Sequence, residues 1–139
     1  PDDIPQDISG FNPAVSQGRL SVRLRHGSVR SSLIIGGDTL PILPDIISSG
    51  ATQFLLDFTI PLEKIKNVLQ EYPDILFRVN LPPSAFISPD TDELGDIIYR
   101  TLNSLRSCDN LIIGTGILPP NVPPANVLWA KKQIVSFYN

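Results

Sequence analysis

The stretch Leu33-Ile34-Ile35-Gly36-Gly37-Asp38-Thr39 constrains the fold of this chain more than any other. A short apolar run stops at two glycines, an acid and a hydroxyl, as a buried strand does when it runs out into a loop. The pattern recurs in Phe54-Leu55-Leu56-Asp57-Phe58-Thr59, in Ile75-Leu76-Phe77-Arg78-Val79-Asn80 and in Leu111-Ile112-Ile113-Gly114-Thr115-Gly116. Each run is too short for a helix and lacks strict alternation, so each reads as a strand buried on both faces.

Helical periodicity fills the gaps. Ile42, Leu43, Ile46 and Ile47 form an apolar face closed by Gly50, on a helix starting near Pro44. Thr59-Ile60-Pro61 reads as a hydroxyl cap with Pro in the first turn. A helix with Leu62, Ile65, Val68 and Leu69 inward follows, and Tyr72-Pro73 stops it. Asp90 with Glu93 reads as a capping-box start, followed by the stripe Leu94, Ile97, Ile98, Leu102 and Leu105. The last helix carries Val127, Ala130, Ile134 and Tyr138 on one face, with Trp129 at its edge. Before the first strand, residues 1–12 read as an irregular lead-in, and Asn12-Pro13 as a helix start. Leu20, Val22 and Leu24 alternate as in a strand, yet Val15, Leu20 and Leu24 also fit a helix, and we assign helix. The expected division is a lead-in and helical segment over 1–30 and one domain over 31–139.

Four βα units in succession predict an α/β fold with a parallel sheet and right-handed crossovers. Such a sheet is either a small open one or half of an eight-unit barrel.

Composition narrows the function. The net charge of -3 gives no reason to expect nucleic acid or an anionic membrane as an electrostatic partner. No apolar run approaches the ~20 residues that span a bilayer. Pro1-Asp2-Asp3-Ile4 is acidic and broken, unlike a secretory leader. The single Cys108 forms no internal disulfide, so the expected compartment is the cytoplasm. The chain has no Met, even at position 1, and so reads as a processed product or a piece of something longer.

Four motifs carry a family resemblance across Ser31 to Tyr138. Gly37-Asp38-Thr39 resembles a Cys-Gly-Asn/Asp turn after a fifth barrel strand. Leu56-Asp57-Phe58-Thr59 resembles a strand ending in Asp before a helix. Asn80-Leu81-Pro82-Pro83 is similar to Gly-Asn-x-Asp-Pro, and Pro123-Pro124-Ala125-Asn126-Val127 to a Thr-Pro-x-Asn segment opening the last helix. Together they resemble the C-terminal half of the uroporphyrinogen decarboxylase superfamily, which includes the corrinoid-dependent methyltransferases. The resemblance implies the C-terminal half of a TIM-type (β/α)8 barrel, a corrinoid or tetrapyrrole ligand, and a methyltransferase or decarboxylase reaction. The methyltransferases of the family hold zinc through a His-x-Cys pair and a later Cys. Here those places carry Ile34, Gly36 and the run Gly114-Thr115-Gly116-Ile117, none able to ligate zinc. No His stands at the decarboxylases' late Gly-His-Gly. Val79 replaces a Gly and Pro82 an Asp in the third turn. The family's first four units, with their substrate-gripping arginines, have no counterpart in this chain. The resemblance therefore implies a catalytically incomplete part, or a non-catalytic module that kept the fold. Implied partners are a second copy, a missing N-terminal half-barrel or a corrinoid protein.

The candidate ligand-binding residues are Gly36, Gly37, Asp38, Asp57, Asn80 and Thr115, at the strand C-termini where a barrel places its site. The proline-rich loops Leu81–Pro89 and Ile117–Pro124 are expected to form preformed walls. The plainer readings are that Asp38, Asp57 and Asn80 cap helices or turns, and that the glycines serve tight turns. Arg19, Arg23, Arg25, His26 and Arg30 form a basic cluster suited to tetrapyrrole carboxylates or to a solvated helix face. His26 has no second ligand near it, and Cys108 reads as an inert thiol.

Overall fold

The computed structural model describes residues 31–138, together with the backbone of Ala14–Ser16 and Arg19–Ser21. These last two segments are strands β1 and β2, paired antiparallel with Val15 opposite Leu20. The helix assigned there is therefore corrected. A Leu20–Leu24 alternation and a helical spacing competed on equal terms, and cross-strand pairing decided for the strand. The rest of the lead-in, with Arg23, Arg25, His26 and Arg30, lies outside the described residues.

The main sheet contains β3 (Ser32–Leu33), β4 (Gln53–Leu56), β5 (Leu76–Leu81) and β6 (Leu111–Thr115). They are parallel and lie in chain order, β3-β4-β5-β6. Helices α1 (Leu43–Ile47), α2 (Leu62–Glu71), α3 (Asp92–Leu105) and α4 (Pro124–Phe137) follow the strands in turn. The fold is thus α/β with a four-stranded parallel sheet. Among the described residues, no helix is long and apolar enough to cross a membrane.

Register fixes which side chains share a face. Phe54, Phe77 and Leu111 stand in one row, and Leu56, Val79 and Ile113 in the next. These residues pack with Leu43 of α1 and with Ile65, Val68 and Leu69 of α2. Further along, Leu81 packs with Phe86, Leu94, Ile98, Leu102 and Ala130, joining β5 to α3 and α4. Every helix-contacting strand residue has the same parity, so the helices cover one face.

The other face carries Leu55, Arg78 and Ile112 in one row, then Asn80 and Gly114. Ile34, Ile35 and Ile112 are all exposed. The expectation of strands buried on both faces holds for Leu55 of β4 and Asn80 of β5, which are buried on this face too. It is corrected for β6 and the end of β3: consecutive crossovers of one hand deliver all helices to the other side of the sheet.

Smaller corrections concern element ends. The first apolar run pairs only at Ser32 and Leu33, and Ile34 has already left the ladder. A 3-10 turn, Leu40–Ile42, precedes α1 and turns Ile42 outward. Pro61, not Thr59, stands at the N-cap of α2, where no side chain caps. The α3 cap position is Thr91, and Asp90 Oδ1 instead accepts the Asp92 N–H at 3.0 Å. A 3-10 turn, Pro83–Phe86, orders the first proline-rich loop. Tyr138 falls beyond α4 and is exposed, while Ala130 is buried and Trp129 packs at the edge.

Candidate functional site

Two clusters form where the strands end on the helix-free side. The first joins the ends of β3 and β4. Asp57 Oδ2 accepts the Gly37 N–H at 3.0 Å, and Oδ1 accepts the Phe58 N–H at 2.8 Å. The carboxylate thereby ties the β3 turn to the β4 turn. Gly37 has φ 83°, the left-handed region that favours glycine. Asp38 turns away from this cluster. Its Oδ1 accepts the Leu40 N–H at 3.1 Å, an Asx turn that starts the 3-10 segment. Asp38 therefore follows its plainer reading as a turn former.

The second cluster joins β5 and β6 and is centred on Arg78, a residue the sequence reading passed over. Arg78 Nε–H donates to Asn80 Oδ1 at 3.1 Å, and Nη2–H donates to the Thr115 carbonyl at 2.8 Å. Asn80 is buried, at 7% exposure, and Arg78 is half-buried. The guanidinium lies over Gly114. A Cβ there would overlap Arg78 Nε and stand 3.0 Å from Cζ and Nη2. Gly114 is thus the gap through which Arg78 crosses the sheet, rather than an amide cradle.

Of the six candidate residues, Gly36, Gly37 and Asp57 meet directly, with a Cβ at Gly36 standing 3.8 Å from Asp57 Oδ2. Asn80 and the Thr115 carbonyl meet through Arg78. The Thr115 side chain belongs to the opposite face, since Thr115 pairs with Leu81 and shares its parity. There it lines a cleft of about 200 Å³ between β6 and α4, with Leu81, Phe86, Ile113, Val127 and Ile134. The period of two settles the matter: adjacent residues on a strand cannot serve one face.

The Asn126 amide of the last motif serves the scaffold. Its Nδ2 donates to the Phe86 carbonyl at 2.9 Å and to the Ser88 carbonyl at 2.7 Å, fastening the β5–α3 loop to the start of α4. Asn110 does the same at the other end of the sheet, where Nδ2 lies 3.0 Å from the carbonyls of Leu69, Tyr72 and Ile75. A larger hollow of about 380 Å³ lies at that end, lined by Gln53, Asp74 and Asn110 among others. It is bigger, but its Asn110 amide is already engaged with three carbonyls, and Gln53 Oε1 accepts from the Ser32 hydroxyl at 2.9 Å. The helix-free cluster keeps unspent donors and is the better candidate.

Zinc does not fit the places the family resemblance assigns it. Ile34 is an exposed aliphatic side chain, Gly36 has none, and Gly114 to Ile117 offers no thiolate or imidazole. Among the described residues, no three His, Cys, Asp or Glu side chains gather to hold a metal ion. Cys108 is buried against the core and free. No protein-family model matches this chain, and no curated protein is similar to it.

Proposed function

We propose that this chain is the C-terminal half of a uroporphyrinogen decarboxylase-like (β/α)8 barrel, catalytically incomplete alone, whose own function is to bind a polar ligand at the strand C-termini. The carrying observation is the Asp57, Asn80 and Arg78 cluster on the face the helices leave open. Four strands in chain order with helices on one side support the half-barrel reading, because an eight-stranded barrel is that arrangement made twice. Corrinoid and tetrapyrrole ligands enter by the family resemblance, and a corrinoid protein is the corresponding partner.

No metal-dependent step is derived for this chain, because Ile34, Gly36 and Gly114 cannot ligate. Its groups bind and orient: the Arg78 guanidinium supplies positive charge, Asn80 holds it, and Asp57 fixes the glycine turn. Methyl transfer by this chain alone is expected to be weak or absent.

A second copy or a separate N-terminal half is the proposed partner. Within the main sheet, the outer edges of β3 and β6 carry no neighbouring strand among the described residues. Open edges with apolar neighbours such as Ile34 and Ile112 favour strand pairing. Sedimentation should show a species larger than the 15.2 kDa chain. A stable monomer that binds no apolar dye refutes this part of the proposal.

The binding test is a cobalamin titration followed by amide shifts, on the parent, Asp57→Ala and Asn80→Ala. The expected outcome is shifts centred on Gly37, Asn80 and Gly114 that both substitutions weaken. If both leave affinity unchanged and a change at Asp74 or Asn110 abolishes it, the site lies at the other end of the sheet. A parallel zinc titration should give no stoichiometric tight binding.

A further inference from the structure

The Arg78 guanidinium is only half used by the fold. Its side-on edge, Nε and one Nη2 hydrogen, is spent on Asn80 Oδ1 and the Thr115 carbonyl. Among the described residues nothing accepts from its end-on edge, which keeps one N–H on Nη1 and one on Nη2. Two parallel N–H bonds are the fork that a carboxylate accepts bidentately. Both acceptors already present are neutral. Among the described residues no carboxylate stands within ion-pair distance of Arg78. The side chain is held from below by a buried amide and given room by Gly114, so little rotamer freedom remains to be lost on binding.

The row in which Arg78 stands fixes what the carboxylate is attached to. Register places Leu55 on one side of Arg78 and Ile112 on the other, all on the helix-free face. Ile112 is 42% exposed, and Ile34, one residue past the paired Leu33–Phe54 position, is exposed too. A lone cation set in an apolar row matches an acid with an apolar body. It does not match a phosphate dianion, because among the described residues one guanidinium is the only cation of the cluster, and the Asp57 carboxylate ends the next strand. For the same reason it does not match a densely carboxylated molecule, so a carboxylate-rich tetrapyrrole is not the ligand of Arg78. We infer that Arg78 is a binding site for a monocarboxylate carried on an apolar body, with the end-on fork on the carboxylate and Ile112 beneath the body. This rests on the reading of the helix-free face as the ligand face, and narrows the ligand class from polar molecules in general.

The experiment titrates the full chain with benzoate, acetate and inorganic phosphate at equal ionic strength, following the Arg78 Nε–H and Gly114 amide signals. Benzoate should give saturable shifts at both, in the millimolar range expected of so small a ligand. Acetate should bind at least several-fold more weakly, and phosphate no better than the salt control. Arg78→Gln should remove benzoate binding. Arg78→Lys, which keeps the charge and lacks the planar fork, should weaken it about tenfold, a step of about 1.4 kcal/mol. If Arg78→Gln proves unfolded, Ile112→Ser decides, since it leaves Arg78 in place and should bring benzoate down to the acetate level. Phosphate binding as well as benzoate, or benzoate shifts that survive Arg78→Gln, overturns the inference. The two proposals fail separately. Benzoate binding at Arg78 without cobalamin binding removes the corrinoid reading and keeps this one. Cobalamin binding that is unaffected by Arg78→Gln, with no benzoate shift, does the reverse.

Discussion

Gly114→Ala tests the arrangement around Arg78 directly. Gly114 does not have a positive φ, so alanine costs nothing through the backbone. The whole cost is the collision of the new Cβ with the Arg78 guanidinium. That group is the end of a flexible side chain and will swing away, giving up its bonds to Asn80 and Thr115. A hydrogen bond to a charged group contributes about 1.5–3 kcal/mol in a buried setting. Arg78 is half-exposed and regains water, so roughly 1–2 kcal/mol for the two together is the better figure. The buried Asn80 oxygen left without its donor adds about 1 kcal/mol. Alanine in place of glycine in a strand returns about 0.5–1 kcal/mol. The net expectation is a destabilisation of about 1.5–2 kcal/mol, measured by urea unfolding with an unchanged m-value. In an Arg78→Ala background no collision exists, and the same substitution should be neutral or stabilising. The coupling energy of the double-mutant cycle should therefore be at least 1.5 kcal/mol or so. A coupling below about 0.5 kcal/mol, or a stabilising Gly114→Ala in the parent, refutes the placement of Arg78 across Gly114.

Three further substitutions probe the frame of the site. Asn126→Ala strands the Phe86 and Ser88 carbonyls, bonded at 2.9 and 2.7 Å, and should cost about 2–3 kcal/mol; a loss under 1 kcal/mol in urea unfolding counts against the clamp. Asp57→Ala frees the Gly37 turn and should lower stability by about 1–2 kcal/mol, with fast hydrogen exchange confined to the Gly37 and Phe58 amides; exchange that stays slow there contradicts the tie. Thr39 is 3% exposed and its Oγ1 has no hydrogen-bond partner among the described residues, so Thr39→Val should raise the thermal midpoint by an amount equal to about 1 kcal/mol; a drop of that size means the hydroxyl has a use in the fold.

The sequence was most legible where the signals are local. Four apolar runs ending in Gly, Asp, Asn or Thr became four parallel strands, and the stripes Ile65-Val68-Leu69 and Leu94-Ile98-Leu102 became the inner faces of α2 and α3. These follow from period and turn chemistry within a dozen residues. What was not legible depends on pairing between distant segments. Arg78 looked like an ordinary charge inside a strand until register set it opposite Ile112, with its guanidinium reaching over Gly114, 36 positions later. Thr115 looked like a mouth residue because it ends a strand, but its pairing with Leu81 turns its hydroxyl to the helix side. Asp57 follows the end of its strand, as the apolar run implies, and its role as a tie between two turns appeared only with the Gly37 bond. An isolated Arg in an apolar strand, matched by a Gly in the next strand, is the signal that reading the two strands side by side would have caught.

Asn80→Asp separates what Arg78 does for the fold from what it does for a ligand. Asn80 Oδ1 already accepts from Arg78 Nε at 3.1 Å, so a carboxylate in the same position forms a charge-assisted bond without rearrangement. Burying that carboxylate carries a desolvation cost, which an unpaired ion in this 7%-exposed position would not recover. Arg78 offsets it, because its positive charge has no other carboxylate among the described residues. The expected balance at neutral pH is a gain of about 1 kcal/mol, with the Arg78 guanidinium holding the introduced carboxyl's pKa below its unfolded value. The sign follows: the folded-state pKa is depressed, so the gain is present above the unfolded pKa and disappears as pH falls through the folded one. Benzoate affinity should move the other way, because the introduced carboxylate neutralises the charge that attracts the ligand even though the end-on fork is still open. Stability up and binding down is the combined signature. If Asn80→Asp is destabilised at neutral pH and recovers on acidification, the new carboxylate is buried without effective pairing, and Arg78 is not free to serve a ligand either.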